Sequence, residues 1–152
     1  MRMALCAFAG LAWLATTGSL PAGTHSSPLH ETVDSTALAS QLIGRWTGAR
    51  YDSGSTTPHQ FTMKWTKAPD GHLTGMVTAG SQAGYETNVV WSSDTGFVTE
   101  SAPHRSSDLN EEVVTRSVAH LKGDSLWGTF EMRPMTYRGK SESGKFSAAK
   151  QK

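Results

Sequence analysis

His59-Gln60-Phe61-Thr62-Met63-Lys64-Trp65-Thr66 alternates with a period of two, and Ala68-Pro69-Asp70-Gly71 and then His72 to Ala79 follow it. His59, Phe61, Met63 and Trp65 share one face; Gln60, Thr62, Lys64 and Thr66 share the other. That pattern predicts a strand buried on one side. Pro69 presets φ and Gly71 admits positive φ, so the chain reverses tightly into a second strand. The hairpin decides the fold class, because the same period continues on both sides of it.

Upstream, Arg45 to Tyr51 forms a strand that ends at Asp52-Ser53-Gly54-Ser55. Downstream, strands are expected at Tyr85 to Ser92, Phe97 to Ser101, Glu111 to Leu121, Ser125 to Met132 and Ser141 to Ala149. Alternation places Tyr85, Thr87, Val89 and Trp91 on one face. Two longer connections stand out, Ala102 to Asn110 and Arg133 to Lys140. Eight sequential strands without intervening helices form an antiparallel meander. The expectation is an all-β, eight-stranded barrel, whose closure removes exposed sheet edges. A five- or six-stranded open barrel or a sandwich is the alternative. Gly48, Gly75, Gly128 and Gly144 fall inside strands, where glycine permits sharp coiling or lets a large side chain lie across the strand. Before the first strand, Ala37, Leu38, Gln41 and Leu42 lie at helical spacing. Ser35 is placed to cap this short helix and Gly44 to stop it.

The first residues have a different character. Met1-Arg2-Met3 is basic, Ala4 to Ala15 is apolar, and Thr16 to Gly23 is small and polar with Pro21. Those three parts make a secretory signal over residues 1–23, and the apolar run is shorter than the roughly 20 residues that cross a bilayer. Residues 24–34 read as a flexible tether, and residues 35–150 as the barrel domain. The expected location is secreted or periplasmic, with no stable membrane insertion once the signal is removed. Cys6 is the only cysteine and lies in the leader, so the mature chain has neither a disulfide nor a thiolate metal site. With 14 Lys and Arg against 13 Asp and Glu, no basic run supports nucleic-acid binding.

Gly44-Arg45-Trp46-Thr47-Gly48 after a short helix resembles the G-x-W start of lipocalins and other calycin barrels. The Asp70-Gly71-x-Leu73-Thr74-Gly75 turn and the Gly123 to Phe130 segment resemble small secreted bacterial lipocalin-like proteins. The resemblance covers about Leu42 to Lys150, and it implies that Trp46 closes one end of the barrel. Avidin-like and nitrobindin-like haem barrels share the G-x-W start. Here, however, Arg50, Tyr51, Ser53 and Ser55 do not match the biotin residues of the first. Arg50 replaces the third glycine of the second, and His120 is the only late histidine.

Trp46, Arg50, Phe61, Trp65 and Trp91 are the candidate ligand-binding residues. Inward aromatics line a cavity in one reading and fill a small barrel in the other. Arg50 and Arg116 would need a carboxylate or an anionic ligand if they point inward, with Glu86, Glu100, Glu112 and Glu131 as candidate partners. The simpler expectation puts both arginines on the solvent face. His59 and His72 would approach each other if their strands pair, but a metal would need a third ligand such as Asp52 or Asp70. Asp108-Leu109-Asn110-Glu111-Glu112 reads as a solvated turn. No G-x-S-x-G elbow, P-loop or nucleophilic cysteine is present, so no catalytic residue, metal or cofactor is assigned and the chain is read as a non-enzyme. The leading expectation is an exported barrel that binds a small apolar or amphipathic ligand. The alternative is an envelope or extracellular interaction protein with a solid barrel, acting through the loops at 102–110 and 133–140.

Overall fold

A computed structural model of the chain describes residues 35–80, 83–136 and 139–152. The leader and tether read at 1–34 lie outside the described residues, as does the Ser35 side chain expected to cap the helix. The elements are α1 (Ser35–Leu42), β1 (Gly44–Asp52), β2 (His59–Lys67), β3 (Leu73–Ala79), β4 (Tyr85–Ser92), β5 (Gly96–Ser101), β6 (His104–Arg105), β7 (Glu112–Lys122), β8 (Ser125–Pro134) and β9 (Glu142–Lys150). Consecutive strands β1 to β5 pair in order, β1 pairs with β9, β9 with β8, and β8 with β7. Pairing of β5 with β7 closes a ring of eight antiparallel strands. The meander is therefore a closed barrel, and neither an open sheet nor a sandwich. The two-residue β6 lies in the long connection before β7 and pairs with that strand's first residues.

The closed end is built by α1 and the strand ends beside it. Leu38 and Leu42 of the helix join Trp46, Trp65, Leu73, Phe97, Leu121 and Leu126 in one buried cluster. Trp46 is fully buried, and its Nε1–H donates to the Leu42 carbonyl at 2.8 Å. Lys150 donates to the Gln41 carbonyl at 2.5 Å and holds its ammonium 5.6 Å from the Trp46 ring centroid. A cation on the carbonyls at a helix C-terminus is favourable, so β9 fastens the helix to the floor. The floor is thus tryptophan under a helix, with the indole's polar atom satisfied locally.

The strand glycines have the packing role expected of them. A Cβ on Gly75 would meet the Trp65 ring at 3.0 Å, so glycine lets that indole lie flat across β3. A Cβ on Gly48 would fall 2.0 Å from the Ser147 carbonyl, because β1 and β9 close tightly there.

One expected face is corrected. The β4–β5 register shifts between Val89 and Trp91, which is a β-bulge. An extra residue reverses the alternation beyond it. Tyr85, Thr87 and Val89 keep their shared face, but Trp91 turns out of the barrel and is 56% exposed.

Candidate functional site

At the end opposite α1 the barrel is open, and a cavity runs inward from that mouth. Its space for the centres of water-sized spheres is about 70 Å³. One water needs roughly 10–15 Å³ of such space, so the cavity holds about five waters. Phe61, Met63 and Trp65 of β2 and Phe146 of β9 line one side. Thr87 of β4, Thr99 of β5, and Thr115 and Ser117 of β7 line another. Arg50, His104, Ser106 and Asp108 stand at the mouth.

Of the candidate binding residues, the structure brings Arg50, Phe61 and Trp65 together around this cavity. Trp46 sits beneath it in the floor, and Trp91 stands on the outer wall. Strand alternation selected the first three. The floor position of Trp46 comes from α1 packing beneath it, and the outer position of Trp91 comes from the bulge.

Arg50 departs from the expected solvent position. Its side chain is only 16% exposed and pairs with Asp108, and its Nε lies 3.9 Å from Asp52 Oδ1. Its Nη1 lies 3.6 Å from Met132 Sδ, and its guanidinium carbon lies 5.5 Å from the Phe130 ring centroid. Arg116 does keep the outer face, 3.7 Å from Glu100. The Arg50 partners are therefore not the glutamates named from sequence. Asp52 is on the arginine's own strand, and Asp108 belongs to the connection between β5 and β7.

That connection adds contacts the sequence did not suggest. The segment is a turn with Asp108, Asn110 and Glu112 exposed, as expected, but two of its side chains also reach the barrel mouth. Leu109 packs against Val113, Phe130 and Met132, while Asp108 reaches Arg50. The loop is held in shape by hydrogen bonds from Arg105 to the Asn110 carbonyl and side chain, at 2.9 and 2.7 Å. Asn110 adopts a positive φ of 53°, a conformation that asparagine tolerates.

A polar network lies beside the Arg50–Asp108 pair. The His104 ring stacks on Tyr85 at 3.7 Å between centroids. His104 Nδ1 is 3.1 Å from the Ala102 carbonyl and 3.2 Å from Ser101 Oγ, while Nε2 is 3.4 Å from Thr115 Oγ1. The Thr115 amide donates to Ser101 Oγ at 2.8 Å. Burial pushes the Tyr85 phenol up, keeping it protonated, with the Arg50 charge and a Thr115 hydrogen bond opposing. Desolvation lowers His104, and Arg50 lowers it further against the Ala102 hydrogen bond, so the ring is neutral at pH 7. Neither residue carried a sequence signal beyond strand position, because the stack joins β4 to a strand two residues long.

At the rim, Asp52 Oδ2 lies 3.2 Å from His59 Nε2. Burial raises the Glu142 carboxyl above its usual range, helped by the charges of Asp52 and Asp108 and by a hydrogen bond with Asp52, while Arg50 opposes. Asp52 Oδ1 and Glu142 Oε2 are buried with no hydrogen-bond partner of their own, Oδ1 having only Arg50 Nε at 3.9 Å. Since the folded carboxyl holds its proton to higher pH than the unfolded one, its contribution favours folding at low pH. That contribution fades as pH rises from the usual carboxylate range through the raised value. Glu142→Gln keeps a hydrogen bond to Asp52 and removes the titration. It is expected to raise stability at neutral pH and flatten this part of the profile, read from urea midpoints between pH 4 and 8. An unchanged slope would assign it to other groups.

The histidine pair considered for a metal is separated by the hairpin itself. The β2–β3 register pairs Lys67 with Leu73 and Phe61 with Ala79, so His59 and His72 lie at opposite ends. Among the described residues, no group of three His, Cys, Asp or Glu side chains is placed to hold a metal ion. No family model, no curated protein and no solved structure matches the chain.

Proposed function

We propose that this protein is an exported barrel of lipocalin-like type that binds a small apolar or amphipathic molecule inside its open end. The observation that carries the reading is the unfilled space between the aromatic row of β2 and β9 and the hydroxyl row of β4, β5 and β7. Small-molecule sites are concave and mostly apolar, with a few placed polar groups, and this cavity has that composition. Arg50, His104 and Asp108 supply polar groups where a ligand would enter. The competing reading needs a solid barrel that acts through the loops at 102–110 and 133–140. The cavity favours binding instead.

The experiment is to fill the space. Ser117 faces inward between Thr99 of β5 and Phe130 of β8. Ser117→Phe places a ring in the cavity and is expected to weaken binding of a naphthalene probe at least tenfold, with the circular dichroism of the barrel unchanged. Undiminished affinity in the folded variant would move the site elsewhere.

A further inference from the structure

We infer that the cavity selects an uncharged ring molecule that is polar along one edge, with hydroxyl or carbonyl groups turned to β4, β5 and β7 and bare hydrocarbon turned to Phe61, Met63 and Phe146. This rests on the cavity being a ligand site and goes further by naming the ligand's chemistry. In the closed ring, β4 stands across from β9 and β7 across from β2. The two walls they form differ in kind. Across the cavity from Phe61, Met63 and Phe146 stand Thr87, Thr99, Thr115 and Ser117, with Phe97 and Ala119 of the same strands nearer the floor.

Pairing makes the hydroxyl wall continuous. Thr99 lies opposite Ser117 across β5 and β7, and Thr87 lies opposite Ser101 across β4 and β5. Ser101 in turn accepts from the Thr115 amide. Hydroxyls both donate and accept, so the wall suits an alcohol, a phenol or a ketone. A further donor lies at the inner end. Trp65 is 2% exposed and lines the cavity, and its Nε1–H is buried with no hydrogen-bond partner. A buried orphan donor is costly, and an acceptor on a bound molecule would satisfy it.

Charge is excluded by the mouth. Arg50 faces inward and is paired with Asp108 through Nη2, while its buried Nε has no hydrogen-bond partner and only Asp52 at 3.9 Å; Glu142 also stands near it. An anion would have to displace Asp108 while facing the other carboxyl groups. A cation would have to approach the guanidinium. A neutral ligand meets neither penalty.

One ring with four substituents tests this: naphthalene, naphthol, naphthoate and naphthylmethylammonium, titrated calorimetrically into the protein at pH 7. Naphthol is expected to bind at least tenfold tighter than naphthalene and tighter than both ions. Thr87→Val with Thr99→Val should bring naphthol down to naphthalene and leave naphthalene unchanged. Equal binding of naphthol and naphthalene to the unaltered protein overturns the inference but leaves the cavity as an apolar site. Tightest binding of naphthoate overturns it in favour of an anion seat at Arg50, and tightest binding of the ammonium in favour of the rim carboxyls. If none of the four binds, the ligand-site reading fails and the inference falls with it. The ranking in the unaltered protein decides even if the double variant does not fold.

Discussion

Trp46→Ala is expected to destabilise the barrel by about 3–5 kcal/mol, the range for truncating a fully buried large aromatic. The ring is completely buried between α1 and the strand ends, and no solvent can fill the space it leaves. Three contacts are lost together: the packing of Leu38 and Leu42, the hydrogen bond to the Leu42 carbonyl, and the ammonium of Lys150 over the ring. Trp46→Phe separates them. It keeps most of the packing and loses the Nε1–H bond, for a cost of about 1–2 kcal/mol. Urea denaturation of both variants is the measurement. A small loss for the alanine variant would mean that α1 is not the floor of the barrel.

Arg50→Leu is the second large effect, expected to cost about 2 kcal/mol at pH 7. Removing one partner from a buried ion pair costs about 3–5 kcal/mol, and partial exposure of both partners here reduces that figure. The variant leaves Asp52, Asp108 and Glu142 around the same point with no cation between them. The penalty arises from charge, so it should shrink on acidification, beginning with Glu142, whose carboxyl is already held above its usual range. Urea midpoints at pH 7 and pH 4 read both halves of the expectation. A loss equal at the two pH values would show that Arg50 acts through its packing on Phe130 and Met132. The same substitution should also free the loop at 102–110, seen as faster amide exchange around Leu109.

The site was only partly legible before the structure. Phe61 and Trp65 follow directly from alternation in β2, because two residues on one face of a strand remain on that face whatever the strand packs against. Arg50 shares the inward face of Trp46, yet its charge argued for solvent. What reverses the argument is Asp108, from a loop 58 residues away in sequence. Asp52, Tyr85, His104 and Glu142 were missed for the same reason, since each is informative only beside partners from other strands. Trp91 shows the converse limit. Its period was correct up to Val89, and one inserted residue then turned it outward.

Sequence alone determined the secondary structure and its buried faces: the period-two strands, the Pro69-Gly71 reversal, the short helix before Gly44, and the meander that those imply. These are local properties, set by backbone sterics and by which side chains avoid water. Tertiary structure decided the rest. It paired β5 with β7 to close the ring, brought Asp108 and Leu109 to the mouth, and left unfilled space between two unlike walls. Whether aromatics fill a barrel or line a cavity depends on how far apart opposite strands stand and on what faces each ring across the gap. Thr99 faces Phe61 and Phe146 across the gap only when the ring is closed, so no local pattern along the chain could report the space between them.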